Sequence, residues 1–553
     1  MLGWRNRALT DDGTIFLRTV RQILAGNGPV FNVDERVEAN TSTLWQWVLV
    51  LLGALLPGDL GRIAVITGLL MTVTGVFIAC DATRRLYSTN APTRWMLPAG
   101  VLVIFAVPPF QDFASAGLDS GLGTLWLSAC WWLLVRLRND PSPLELTAHA
   151  VVYGLGVLVR PDLFLVTVIF FTASWLLRRP SFPQAAAQLA ALGTLPISYE
   201  VFRAGYYGLL LPMPALTKEA GQTELAAGLR YLRDFADPYA LYAPAALLLI
   251  AACLIAKRHS LDRALLVPAT PVCAALALTA YVTKVGGDYM HARMLLPATY
   301  LALLPVFLIP CTRALAAITV SIATWCAVVA GPWHTTTLDP NSQTVRVRVE
   351  DTRLTGNDNA DNTRAWTSAF PGLRESVAAA LAAKTPVLLR LRPDDFRPDL
   401  LMPLNPMYKG TKISIPGWYL GVTGAVVPLD QRIVEMWGLA HTLGAHLEYT
   451  PGWEKKLPGH GKLIDDVWLL ALDLDPQVLD PPPGSIAVTR EGLAAARHAL
   501  SCGDLKELLD STRKPLTAGR FWDNLTGAWE RTNLRIPRDP FDAERKFCGR
   551  RQP

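Results

Sequence analysis

Apolar segments recur along the chain at about 63–80, 96–110, 119–135, 145–159, 162–177, 184–202, 238–256, 264–283, 294–309 and 314–331, separated by short polar loops. Ten such segments predict membrane-spanning helices. An eleventh run, 44–56, covers only about 20 Å of a hydrocarbon core about 30 Å thick, so it predicts a re-entrant or interfacial helix. From about 333 the pattern turns polar. Strand-like runs at 345–349, 387–391, 413–415 and 467–472 alternate there with helix-like runs at 373–383 and 492–500. This predicts two domains: a membrane domain over 1–332, with 1–43 as its first outer loop, and a mixed α/β domain over 333–553.

Charge gives the ten segments a direction. Arg84, Arg85 and Arg94; Arg136 and Arg138; Arg178 and Arg179; Lys257, Arg258 and Arg263; and Arg313 fall in one alternating set of loops, which the positive-inside rule places in the cytoplasm. The other set faces outward: 1–43, 111–118, the Arg160-Pro161-Asp162 turn, 203–237, 284–293 and everything after 331. The alternation closes only if 44–56 does not cross. No helix precedes the first outer loop to carry it across, so either a further helix is expected upstream of Met1, the preferred reading, or residues 1–10 are the remnant of one.

With 553 residues, 51% of them hydrophobic and 18% charged, the composition agrees with a multi-pass protein. A net charge of +6 without a dense basic tract offers nothing to nucleic acid. Six cysteines lie in or beside apolar segments, where they act as small hydrophobes. Cys502 and Cys548 stand alone in the polar region and predict one disulfide in an oxidising, extracytoplasmic compartment.

Residues able to do chemistry gather in the outer loops. Asp11 and Asp12 open an amphipathic run capped by Thr10 or Asp12 and stopped by Gly26-Asn27-Gly28, read as a helix in the membrane interface; a solvated, capped loop is the alternative. Glu38, Asp112 and Asp119, Arg160 with Asp162, Arg203, Lys218, and the Lys284–Arg293 loop with Asp288, His291 and Arg293 complete the set. The helix middles carry almost no charge, unlike a transporter's. No phosphate loop is present, so an outer-face enzyme would draw an activated substrate from the membrane itself. A polyprenyl-phosphate sugar suits that demand. A carboxylate then serves the acceptor hydroxyl or the cationic sugar, for which Asp11 and Asp12 are the candidates. Cations hold the phosphate, for which Arg160, Arg203, Lys218, Lys284 and Arg293 are available. His291 with Asp288 could orient substrate or take a divalent cation, but two residues make a weak metal signal and a structural pair is preferred. No metal site and no cofactor is otherwise assigned. His446 and His460 lie in the C-terminal domain, which is read as the acceptor-binding surface.

Several stretches resemble the arabinofuranosyltransferase B family of mycobacterial-type cell-wall synthesis. They are Asp11-Asp-Gly through Glu38-Ala-Asn-Thr-Ser-Thr, Val107-Pro-Pro through Asp119-Ser-Gly-Leu, Leu158-Val-Arg-Pro, Phe202-Arg-Ala-Gly-Tyr-Tyr-Gly, Gly286-Gly-Asp-Tyr-Met-His-Ala-Arg and Gly438-Leu through His446. The resemblance spans nearly the whole chain. It implies a polytopic helical membrane protein of GT-C type with eleven membrane helices and a periplasmic C-terminal domain, set in the plasma membrane. It further implies transfer of arabinofuranose from decaprenyl-phosphoryl-arabinofuranose to the ends of arabinan in arabinogalactan and lipoarabinomannan, through β(1→2) linkages. The family's key acidic residue carries over onto Asp11, with Asp12 beside it. Donor and product are both β-linked, so configuration is retained, and an ion-pair or front-face route competes with simple base catalysis. Departures are Asp119 where Glu is expected, Ala292 for Gly, Thr442 for Pro and Glu435 for Asp. The membrane lipid, the lipid donor and the arabinan are the implied partners; no oligomeric state is implied. A transferase using another polyprenyl sugar such as mannose, and a lipid-sugar flippase or non-catalytic scaffold, are the rival readings.

Overall fold

The computed structural model describes all residues except 1–3, 5–6, 8, 89–94, 140, 220–222, 258–264, 331–370, 393–396, 418, 451–460, 486 and 550–553. The expected strand at 345–349, the boundary at 332/333 and His460 lie outside the described residues. Each apolar segment is mostly helical over its described residues. Among the described residues, four helical stretches are long and apolar enough to cross a membrane: Leu60–Tyr87, Pro161–Arg178, Leu266–Lys284 and Arg313–Ala330. Others are shorter or interrupted, and the interruptions have local causes. Pro108 and Pro109 break one into Ala99–Ala106 and Pro108–Ala114, and Pro297 and Pro305 begin separate turns in another. The Thr43–Leu55 helix has 13 residues, with Trp45 and Leu49 buried and Leu51 and Leu55 exposed, as the short 44–56 run requires.

The loops sort to two faces. On one, the ends of the Leu60–Ser88 and Ser120–Arg136 helices meet where Arg138 donates to the Leu86 carbonyl (2.9 Å). There Met96–Leu97 also pairs antiparallel with Ile309–Pro310. On the other, the loops bearing Asp12, Asp119, Arg160, Lys218, Asp288 and Arg293 converge. The Phe182–Tyr207 helix starts beyond the basic Arg178–Arg179 end of a candidate span and returns to the second face, where Arg203 meets Glu38. It therefore runs from one loop face to the other.

In the C-terminal domain a four-stranded sheet runs in the order Pro398–Pro403, Val387–Leu391, Ile413–Gly417, Arg432–Glu435. The first pair is antiparallel and the other two are parallel, with Val387 opposite Ile413 and Ser414 opposite Arg432. The expected strand at 467–472 is instead a buried helix, Asp466–Asp473. A short apolar run suits a buried helix as well as a strand, and here the sheet already has its members. Helices predicted at 373–383 and 492–500 are present as Pro371–Ala382 and Arg490–Ala499. Cys502 and Cys548 are joined by a disulfide.

The Asp11–Leu24 helix begins as the sequence predicts, with Thr10 Oγ1 accepting from Gly13 N (3.0 Å) and two aspartates favourably placed in its first turn. It does not lie in a membrane interface. Gly13–Val20 and Gln22 are buried, and the Leu420–Val426 helix of the C-terminal domain covers it. Arg18, fully buried, donates to the carbonyls of Phe31, Gly424, Val427, Pro428 and Gln431. Asn32 pairs with both backbone groups of Ile433, and Arg432 reaches Asp34 (2.5 Å) and Asp473 (3.0 Å). The amphipathic stripe thus faces protein on both sides. Four of the five carbonyls that Arg18 satisfies lie at 424–431, so it is one of several groups that join the N-terminal helix to that region.

Candidate active site

Consecutive residues on a helix diverge by about 100°, and the two aspartates use that divergence. Asp12 turns toward the membrane domain: Arg293 Nη1 lies 2.9 Å from its Oδ2, and the Tyr289 hydroxyl donates to its Oδ1 (3.0 Å). Asp11 turns toward the C-terminal domain, where Val422 N–H donates to its Oδ1 (2.8 Å). The approach is close because position 421 is glycine. A Cβ there would stand 1.9 Å from the Asp11 carbonyl oxygen.

Arg293 is the hub. Besides Asp12 it reaches Asp288 at 3.7 Å and Asp119 at 3.9 Å. Its position follows a left-handed turn built by Gly286, Gly287 and then Ala292 at φ 65°. A residue with a Cβ at that φ is strained, so the turn is held by its surroundings: Ala292 is fully buried and Tyr231 donates to the Met290 carbonyl. Lys218 Nζ lies 3.9 Å from Asp288. Its helix is fixed by the C-terminal domain, through Thr217 Oγ1 to the Gly438 carbonyl (2.7 Å) and Lys462 Nζ to the Leu216 carbonyl (3.3 Å). Arg160 is locked to Asp162 by two hydrogen bonds of 2.8 and 2.5 Å.

A cleft opens beside this cluster. Val76, Ile104, Phe110, Phe113 and Leu127 supply apolar walls, and Asp119, Arg160 and Arg293 supply the polar end. Asp119 is buried, yet neither carboxylate oxygen has a hydrogen-bond partner. A buried, unsatisfied carboxylate between two guanidinium groups is costly without a ligand to complete it.

Burial, reinforced by Asp12, pushes Asp11 up to about 7 despite the N–H groups of Val422 and Gly421. Behind it Glu435, fully buried, accepts N–H bonds from Trp437 (2.8 Å) and Leu439. Burial raises Glu435 to about 8, and the Asp11 charge adds to the effect.

The other expected site residues are placed differently. Glu38 and Arg203 pair with each other (2.6 Å), with Tyr199 on Glu38 and Glu200 on Arg203. That buried group ties the first loop to the Phe182–Tyr207 helix, and the Arg203 guanidinium is committed to it rather than presented to a phosphate. His291 pairs with Asp234 (3.0 Å) and Tyr239 (3.0 Å), not with Asp288. The two do not form a cation site, because both imidazole nitrogens are engaged and Asp288 faces Arg293 and Lys218. His446 is fully buried, its nitrogens 2.7 Å from the Thr442 carbonyl and 3.1 Å from that of Arg531, so it offers none to a substrate. Burial lowers it to about 4. Among the described residues, the one group of donors near enough to share a metal is His498, Cys502 and Cys548, and its cysteines are consumed in the disulfide. Sequence reasoning missed Tyr289 and the 421–422 amides, and named Glu435 only as a departure from the family pattern. Tyr289 lay inside a quoted motif and could have been found; backbone donors leave no sequence signal.

Candidate membrane spans around an apolar cleft that ends in carboxylates and guanidinium groups place the chain in the class of helical membrane proteins. Residues 407–545 match the model of the AftB family C-terminal domain. A Mycobacterium tuberculosis protein named terminal β-(1→2)-arabinofuranosyltransferase is 32% identical, the match covering 97% of this chain and 93% of that protein. A Corynebacterium glutamicum protein of the same name is also 32% identical, over 99% of this chain and 85% of its own length. No solved structure matches. The chain belongs to the terminal β-(1→2)-arabinofuranosyltransferase family.

Proposed function

We propose that this protein transfers an arabinofuranosyl residue from a polyprenyl-phosphate carrier to the end of an arabinan chain, forming a β(1→2) linkage. The observation that carries the reading is the cleft: apolar side walls suited to an isoprenoid tail, with Asp119, Arg160 and Arg293 where the phosphate and sugar would lie. Arg293 and Arg160, with Lys218 at the rim, would hold the departing phosphate. An oxocarbenium–phosphate ion pair would form at the polar end of the cleft, and Asp11, which faces the C-terminal domain, would take the proton of an acceptor arriving from that side. Such an ion pair, attacked from the leaving-group side, suits retention of the β configuration. Asp12, already neutralised by Arg293, positions that guanidinium. The acceptor would approach beneath the C-terminal domain. In this reading the ten apolar segments span the plasma membrane and the site opens extracytoplasmically, where the disulfide persists.

The test is transfer by the purified chain in lipid, using labelled polyprenyl-phosphoryl arabinofuranose and an arabinan oligosaccharide. The expected result is labelled arabinan with a new terminal β(1→2) residue and release of polyprenyl phosphate. Transfer from the mannose donor instead would reassign the sugar, and passage of intact donor across vesicles without cleavage would overturn the enzymatic reading.

A further inference from the structure

The Ala518–Asn533 helix packs on the outer end of the Phe182–Tyr207 helix. The Phe521 ring sits where a Cβ of Gly205 would be (2.2 Å), and Asn524 Nδ2 donates to the Gly205 carbonyl (3.0 Å). Farther along, Arg531 Nε donates to the Gly208 carbonyl (3.0 Å) and Thr532 Oγ1 accepts from Leu210 N (2.9 Å). Arg531 Nη2 also donates to the Asp523 and Asn524 carbonyls, so its guanidinium lies back along its own helix beside Asn524.

The place it lies matters. Ile197, Val201 and Gly205 follow one another at intervals of four residues on a single stripe. Ile197 is 64% exposed and Val201 45% exposed, an apolar surface open to lipid, and Phe521 covers the next position one turn, about 6 Å, beyond. This helix thus sits where the exposed apolar stripe ends. Its inner face buries Asn524, Ala528, Arg531 and Thr532. Its outer face carries Trp522, Thr526, Trp529 and Asn533 at helical spacing, with Trp522 62% and Trp529 70% exposed. Large exposed indoles at the edge of an apolar surface are what interfacial anchoring uses: an apolar ring enters the headgroup layer while its N–H stays in polar surroundings. The exposed Asp523 and Glu530 beside them would limit insertion to that layer.

We propose that this outer face is a membrane-interface anchor, with Trp522 and Trp529 seating the C-terminal domain on the headgroup layer and so holding it over Asp11. The inference rests on the reading that the Phe182–Tyr207 helix crosses the bilayer. A carbohydrate-stacking platform is the competing use of two exposed indoles. Continuity with the lipid-facing stripe favours lipid.

The test is a nitroxide on Thr526→Cys in the full chain, with the free cysteines replaced, reconstituted in phosphatidylcholine–phosphatidylglycerol nanodiscs. Collision with oxygen is compared with collision with a soluble nickel chelate. Labels at Ile197→Cys and Glu491→Cys serve as lipid and bulk-solvent references. The expected oxygen-to-nickel ratio at 526 is severalfold above that at 491 and falls in the Trp522→Ser/Trp529→Ser double variant. A ratio at 526 equal to that at 491 overturns the anchor. So does protection at 526 that appears only when an arabinan oligosaccharide is added. A solvent-like ratio at 197 overturns the membrane reading beneath it as well, which separates the two failures.

Discussion

Asp11 accepts a hydrogen bond from the backbone N–H of Val422 across 411 residues of sequence. The first turn of the N-terminal helix and the C-terminal domain therefore share one electrostatic site. The domain holds the carboxylate as well as covering it.

Asp11→Asn is expected to lower transfer about 100-fold or more without loss of insertion. The pH dependence supplies a second check. Burial and Asp12 place the folded-state pKa of Asp11 at about 7, well above that of the unfolded chain. Between the two values the folded state binds the additional proton, so this group favours folding in acid and that contribution is lost as pH rises through 7. Activity runs the opposite way, because the ionised form prevails only above about 7. The transfer rate should fall on the acid side with a midpoint near 7, and Asp11→Asn should raise Tm more at pH 8 than at pH 5. A flat rate profile from pH 5 to 8 would remove Asp11 from the mechanism.

Arg293 meets three carboxylates: Asp12 at 2.9 Å, Asp288 at 3.7 Å and Asp119 at 3.9 Å. Arg293→Gln leaves them mutually repelling in a buried setting and is expected to cost about 3 kcal/mol in chemical unfolding, together with transfer. Arg293→Lys should recover most of the stability but little of the rate, because a point charge cannot reproduce the spread of the guanidinium.

Gly421→Ala would place a methyl group 1.9 Å from the Asp11 carbonyl oxygen. The Leu420–Val426 helix must then draw back, and the Val422 and Gly421 N–H groups that lower the Asp11 pKa are lost with it. The expected result is slower transfer with the acid limb of the rate profile moved to higher pH. Slower transfer with an unmoved limb would mean the glycine matters for packing alone.

Replacing Cys502 and Cys548 by serine should lower stability by about 4 kcal/mol on chain-entropy grounds, since the bond closes a separation of 46 residues. The check is a lower Tm that reductant no longer changes. Transfer by the protein that remains folded should be little altered, because neither cysteine belongs to the Asp12–Arg293 cluster.

The primary sequence alone determined what depends on neighbours in the chain. Thr10 caps the helix that carries the aspartates, the 13-residue Thr43–Leu55 helix is too short to cross, and the isolated Cys502–Cys548 pair forms a disulfide. Which loops share a face was likewise readable, since clusters of Arg and Lys recur in every other loop. Tertiary structure decided the partners. Arg293 rather than Arg203 serves Asp12, His291 turns to Asp234, 466–473 is helix, and the amphipathic N-terminal run is buried beneath protein rather than lipid. The physical reason is range. Capping, hydropathy and helix length are set within a few residues, whereas an ion pair joins whichever charges the packed helices bring within a few ångströms, and a backbone N–H such as that of Val422 is the same donor in every residue but proline.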